Sequence, residues 1–406
     1  MVAKLFGKDA VAANSYQALT AALVRYTPQL LPALWERLQS LMQQTGQVGW
    51  RVGKWLVLAF DGSRVGVPRT QRNEERFTKP RKPRRNKKSR KKRRGRHAQR
   101  KSPKRSTMSH YDPQPVAPQM WLTLVWHVGI RLPWCWKLGP SFSSERAHVE
   151  TLLDESRFPE NTLFSADAGF IGYEFWRAII DKNHSFLIRV GGNVRLLKHL
   201  SVIRQSGDIV YCWPDEAMKK KRPPLVLRLL CFHDGRGEVY LVTNVLDEKE
   251  LTTKQASLIY RRRWGIELQF RSLKQTYGRA KLRARTPEIA EVELHWSLLG
   301  LTMLQLLAVK EQTRAGEPAD KTSIAAVLRI IRSMMAGRSE KRPASASLGE
   351  RLRNATTDSY QRCSKKRSRN YPRRKEEPSA GPPIIRVATA KQRALARKIL
   401  TDQLAA

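Results

Sequence analysis

A glutamate set between cations is the first feature of this sequence that could do chemistry. In the stretch Tyr260-Arg-Arg-Arg-Trp-Gly-Ile-Glu-Leu-Gln-Phe-Arg-Ser-Leu-Lys274, a helical spacing of about 100° per residue brings Tyr260, Arg263, Glu267 and Lys274 within an arc of roughly 60°. Leu258, Ile259, Ile266, Phe270 and Leu273 fall on the adjoining arc and form an apolar seam. Glu267 could hold a metal ion while the cations hold a phosphate. A solvated helix face with intrahelical ion pairs is the alternative. Two more carboxylates follow apolar runs. Trp55-Leu-Val-Leu-Ala-Phe60 reads as a strand buried on both faces and ends in Asp61-Gly-Ser. Thr162-Leu-Phe-Ser-Ala166 reads as a shorter strand and ends in Asp167-Ala-Gly-Phe. A carboxylate at the C-terminal end of a buried strand points to the sheet edge where ligands bind. Taken alone, an Asp-Gly pair is equally an ordinary turn.

Three acids in three different elements can converge at one edge of a mixed sheet. Chemistry on a phosphodiester calls for that arrangement. Two hard cations about 4 Å apart activate the attacking oxygen and stabilise the leaving one. Mg²⁺ keeps several of its waters, so a few carboxylates suffice to hold it. Neighbouring Arg and Lys side chains then neutralise and orient the phosphates.

The elements that must position these residues are legible in outline. Residues 15–45 have helical spacing through Leu19, Leu23, Leu30, Leu31, Leu34, Leu38 and Leu41, with Pro28 and Pro32 predicting a break between two helices. This helical lead-in, residues 1–50, is read as packing on the core. After the Asp61 strand come a hairpin over 121–138, a helix over 143–156 capped by Ser143 or Ser144, the Asp167 strand, a helix over 171–182 and a strand over 185–190. Gly191-Gly192 opens a β-rich insertion, residues 191–245, with strands near 207–213, 224–232 and 238–245. The Glu267 helix starts at Thr252 or Thr253. Thr286-Pro287 starts another that stays apolar through Leu307. The core is therefore split between 51–190 and 246–315, and a helical, then basic segment follows over 316–406. The resulting fold class is α/β, a mixed sheet flanked by helices.

Composition narrows the partner. Lys and Arg number 77 against 35 Asp and Glu, a net charge of +42, which calls for a polyanion, most simply nucleic acid. Residues 79–105 are almost continuous Lys and Arg with no acid, which reads as a disordered loop and a sequence-independent phosphate clamp. The basic, Pro-rich tail through Lys365-Lys-Arg-Ser-Arg369 and Pro372-Arg-Arg-Lys375 reads as largely disordered, with a short helix near 389–404. The four cysteines are far apart and form no Cys-x-x-Cys pair, so neither a zinc site nor a disulfide framework is expected. The apolar run from Leu294 to Val309 contains His295 and Gln305 and is shorter than the roughly 20 residues of a membrane span. With no signal segment legible, a cytoplasmic, nucleoid-associated protein without a membrane partner is expected. Asp154, Glu155 and Glu174 read as surface charges on helices, and Trp264 as packing rather than a base-stacking platform.

The pattern Tyr-x2-Arg-x3-Glu-x6-Lys, met by Tyr260, Arg263, Glu267 and Lys274, resembles that of the DDE transposases of bacterial insertion sequences of the IS-four type. Asp61-Gly-Ser, Asp167-Ala-Gly-Phe and Val239-Tyr-Leu-Val-Thr-Asn244 are similar to what that family shows, and the resemblance covers roughly residues 50 to 310. It implies an RNase H-like core with a β-strand insertion between the second Asp and the Glu. It further implies Mg²⁺-dependent DNA strand cleavage and transfer, with Asp61, Asp167 and Glu267 holding two Mg²⁺ ions and Mn²⁺ as a substitute. Tyr260, Arg263, Lys274 and Arg271 would then bind DNA phosphates, and a homodimer would assemble on transposon-end and target DNA. The run at 79–105 is longer and more basic than that pattern. Two other readings stand beside this one: a nuclease on the same core that cuts without joining, and a decayed or repurposed DNA-binding protein.

Overall fold

The computed structural model describes residues 15–46, 49–79, 117–200, 208–235, 237–336, 347–356 and 381–404. Its strands are β1 (Leu56–Gly66), β2 (Gln119–His127), β3 (Leu132–Pro140), β4 (Thr162–Ala166), β5 (Ser185–Val190), β6 (Arg195–Lys198), β7 (Ile209–Cys212), β8 (Leu225–His233), β9 (Glu238–Thr243) and β10 (Ile384–Val387). They form one sheet in the order β10-β6-β7-β8-β9-β5-β4-β1-β2-β3. Strands β1, β4 and β5 run parallel, and β2 and β3 extend the β1 edge as an antiparallel hairpin. This mixed sheet, flanked by helices and preceded by a helical lead-in, is consistent with an RNase H-like topology. Strands β6 to β9 lengthen the same sheet beyond β5, with β9 antiparallel to β5. Strand β10, from the C-terminal segment, pairs in parallel with β6 at the far edge.

Period-2 alternation along β1 divides the core. Leu56, Leu58 and Phe60 enter one cluster with Val149, Leu152 and Leu153 of helix Glu145–Glu155 and with Phe175, Trp176 and Ile179 of helix Tyr173–Asp181. Trp55, Val57, Ala59 and Val65 enter the other, with Ile259, Ile266, Phe270 and Leu273 of the Glu267 segment and Leu294, Leu298 and Leu301 beyond it. Both faces of β1 are covered, which is why its first half is a continuous apolar run.

Two expectations are corrected here. Pro28 and Pro32 do not divide the lead-in, which is a single helix, Tyr16–Thr45. A proline removes a helical hydrogen bond and crowds the preceding turn, yet tertiary packing outweighs that loss. Leu38 and Met42 are buried with Ile130, Leu132, Leu299 and Leu306. Trp296 Nε1 donates to Thr27 Oγ1 at 2.8 Å, and Trp35 Nε1 donates to the Trp134 carbonyl at 2.6 Å. The apolar run at 294–309 belongs to a longer helix, Pro287–Arg314, which by length and composition could cross a membrane. Just over half of its apolar window is buried inside the protein, where it packs on the sheet and on the lead-in helix. The tail also carries β10 and helix Ala390–Leu404. The basic run lies outside the described residues from 80 onward, as do 365–375.

Candidate active site

Asp61 and Asp167 are brought together by the parallel ladder between β1 and β4. Its pairs run from Leu56↔Thr162 to Ala59↔Ser165, and two residues further on each strand lie Asp61 and Asp167. Neighbouring strands are about 4.8 Å apart, so continuing the ladder sets the two acids side by side. Asp167 is still extended (φ −84°, ψ −175°), so alternation carries on from Leu163 and turns it to the face covered by the Glu267 segment. Asp61 shares that face by the same count from Val57 and Ala59. One expectation changes. Asp61 does not end its strand, because β2 keeps pairing with β1 as far as Gly66↔Gln119 after β4 has left the other edge. The open edge is on the Asp167 side.

Glu267 arrives on a segment that is less regular than its spacing suggests. Thr252 caps the helix Thr253–Arg263 in a capping box with Gln255. At Trp264 the helix tightens, with the Glu267 N–H donating to the Trp264 carbonyl at 3.2 Å, and it resumes as Gly265–Arg271. Gly265 is required here: a Cβ on it would lie 2.2 Å from Cη2 of Trp126 in β2. A π turn, Ser272–Thr276, follows, closed by the Tyr277 N–H on the Ser272 carbonyl at 2.8 Å. The wide turn changes the helical phase before Lys274, whose Nζ donates to Ser63 Oγ at 2.6 Å. Ser63 lies two residues past Asp61, on the same face of β1.

The electrostatics register how near these acids are. Burial pushes the Asp61 carboxyl up to about 6; Asp167 and Glu267 raise it too, while the Gly62 N–H and Arg263 oppose the rise. Glu267 is raised by burial and by Asp167, against Arg263 and Arg271. Burial lowers Lys274. Arg263 is only 5% exposed, with its guanidinium 5.2 Å from the Tyr260 ring centroid. Its Nε has no hydrogen-bond partner and its charge acts on Asp61 and Glu267, so it serves the acids from within. Arg271 is exposed and Tyr260 half-buried. Asp154 and Glu155 pair with Lys182 and Lys137 at 2.7 and 2.9 Å, and Glu174 pairs with Arg222, all at the surface and apart from this cluster.

Comparison with known proteins finds a family match over part of the chain. Residues 131–303 match the family "Transposase DDE domain". The chain is also similar to the transposase InsG for insertion sequence element IS4 of Escherichia coli (strain K12), 27% identical over 183 residues, which are 42% of this chain and 40% of that protein. The chain thus spans about two fifths of that relative's length. A piggyBac transposase in a synaptic complex with hairpin DNA, solved by cryo-EM, aligns over 76% of this chain and 59% of its own at 13% identity and a TM-score of 0.38. The DDE-domain match takes in Asp167 and Glu267 and begins after Asp61.

Among the described residues, no three His, Cys, Asp or Glu side chains stand close enough to hold a metal ion as they are placed. The chemistry of Asp61, Asp167 and Glu267 nevertheless fits a hard cation. All the donors are carboxylate oxygens, and Asp167 lies near enough to raise the proton affinity of both Asp61 and Glu267. Asp61 Oδ1 accepts from the Gly62 N–H and Asp167 Oδ1 from the Gly169 N–H, each at 2.8 Å, which fixes both carboxylates to the backbone. One acid of this site escapes the sequence reading. Glu145, in the first turn of helix Glu145–Glu155, is pushed up to about 7 by burial, by Asp61 and by Asp167, against Arg64. The signal available for it was slight: an acid directly after the Ser144 cap, where acids are common in any helix.

Proposed function

We propose that the chain is a DNA transposase of the insertion-sequence DDE type, cleaving DNA strands at element ends and joining them to target DNA. The observation that carries this reading is the placement of Asp61 and Asp167 at one level of adjacent parallel strands, on the face that Glu267 covers. The DDE-domain similarity supports it, as does a net charge of +42. Asp61, Asp167 and Glu267 would hold the divalent cations, Mg²⁺ with Mn²⁺ as substitute. When bound, these ions activate the attacking oxygen and stabilise the leaving one. Arg263, buried at the start of the Glu267 segment, opposes the rise in proton affinity of Asp61 and Glu267. Lys274, braced on Ser63, and the exposed Arg271 flank the cluster where phosphate oxygens would approach, with Tyr260 beside them. The 79–105 run would add contacts to any DNA. A homodimer on the paired ends and a cytoplasmic, nucleoid-associated setting complete the proposal.

The test is an assay on DNA carrying the sequences that flank the gene, scored for nicked and joined strands with and without Mg²⁺. Wild type should give both products. Glu267→Gln should bind the DNA normally and lose cleavage by at least about a hundredfold. Cleavage without joining would make the protein a nuclease. Binding without cleavage by the wild type would make it a non-catalytic DNA-binding protein.

A further inference from the structure

The two faces of β1 past Phe60 carry different residues. Asp61 and Ser63 share the face with Glu267 and Lys274, while Gly62 and Arg64 belong to the other. Gly62 has no strained backbone to accommodate, since it lies within a regular strand. What it provides is room. A Cβ at Gly62 would be 2.1 Å from Glu145 Oε1 and 2.8 Å from Glu145 Cδ, so the carboxylate rests where a side chain would otherwise stand, against the backbone next to Asp61.

The elements around Glu145 hold it there. Ser144 caps its helix, accepting from the Ala147 N–H at 3.4 Å. One turn on, His148 Nδ1 is 3.0 Å from Thr123 Oγ1, and Thr123 is the register partner of Gly62. Val149, Leu152 and Leu153 bury the remainder of the helix against the sheet. The N-terminus of the helix is thereby pinned to the strand pair at the level of Asp61. A second observation points to a ligand at this cluster. The buried Arg263, 5% exposed and with an unpartnered Nε, acts on Asp61 and Glu267, with Arg64, Arg271 and Lys274 around the same acids. Carboxylate oxygens crowded into one place are the donor set that a hard divalent cation takes.

From this we propose that Glu145 is a fourth carboxylate of the site, reaching the divalent cation from the opposite face of the sheet through the gap at Gly62. The inference rests on reading the Asp61, Asp167 and Glu267 cluster as a divalent-cation centre. In this arrangement Asp61, Asp167 and Glu267 stand on one face of the sheet and Glu145 on the other. The gap also gives Gly62 a function independent of turn formation: any larger residue would displace the fourth acid.

Mn²⁺ titration of the full-length protein without DNA, followed by electron paramagnetic resonance, reads the site directly. Glu145→Gln should weaken Mn²⁺ binding about ten- to a hundredfold. Gly62→Ala, whose methyl would take the place of the carboxylate, should weaken it similarly, and the double variant should be no weaker than either alone. Glu145→Asp, a shorter arm with the same charge, should fall between wild type and Gln, and it serves as the reporter if the Gln variant fails to fold by circular dichroism. Wild-type Mn²⁺ affinity in Glu145→Gln, with Asp61→Asn impaired, would overturn the role of Glu145 and leave the proposed function standing. Wild-type affinity in both variants would overturn the cation centre itself.

Discussion

Asp61 and Asp167 share one level of the β1–β4 ladder, two residues beyond its last pairing at Ala59↔Ser165. Parallel strands of one sheet hold that relationship without help from any loop, so the first two acids are set by the core itself. Glu267 is supplied separately, by a helix that the absence of a side chain at Gly265 lets down onto Trp126. The site is therefore as rigid as the sheet on one side and as well seated as that helix contact on the other.

That contact can be tested by Gly265→Ala. The added methyl would be 2.2 Å from Trp126 Cη2, and overpacking of this kind costs about 1–3 kcal/mol. We expect a lower melting temperature and a loss of Mg²⁺-dependent cleavage larger than the loss of DNA binding. Unchanged stability would mean that the helix has slack to move away from β2.

In the metal-free protein the stability contributed by Asp61 and Glu145 should fall as pH rises from about 4 to about 7, against the opposite trend from buried His127 and His295, whose protonation burial disfavours. Asp61, pushed up from 3.8 to about 6, and Glu145, pushed up from 4.5 to about 7, hold their protons more tightly folded than unfolded. Stability from such groups is fully present below the unfolded values and is lost as pH climbs through the folded ones. Asp61→Asn removes a penalty that is at most about 3 kcal/mol at neutral pH. It should raise the melting temperature of the metal-free protein at pH 7.5 and leave it nearly unchanged at pH 4. Mg²⁺ should stabilise wild type at pH 7.5 and have little effect at pH 4. A difference in melting temperature between wild type and Asp61→Asn that does not change between pH 4 and 7.5 in chelator would contradict the clustering of these acids.

Deleting residues 80–105 should weaken binding to any duplex and reduce the slope of log affinity against log salt by about 0.9 for each phosphate contact removed. Filter or fluorescence binding at several salt concentrations measures this. An unchanged slope would show that the run makes no contact with DNA.

Much of this was legible in the sequence because burial leaves a direct mark on composition. The runs Leu56 to Phe60 and Thr162 to Ala166 are strands covered on both faces, and an acid directly after each could be read as a candidate. The continuation of β1 to Gly66 could not, since it depends on hydrogen bonds to β2 that leave no trace in the side chains of residues 61–66. The single helix through Pro28 and Pro32 depends on remote partners, Trp134 and Trp296 among them. The π turn at Ser272–Thr276 is likewise a tertiary effect, one that even spacing from Tyr260 to Lys274 does not show. Glu145 was hidden for a different reason: its acid is ordinary for a first helical turn, and only the empty place at Gly62 gives it meaning.

The central claim, that Asp61, Asp167 and Glu267 share a divalent cation, is tested most directly by replacing Mg²⁺ with Fe²⁺ and generating hydroxyl radicals at the bound ion. Backbone scission should then occur near residues 61, 167 and 267 together, be suppressed by excess Mg²⁺, and disappear in Asp61→Asn. Scission at other positions, or the same fragments from Asp61→Asn, would contradict it.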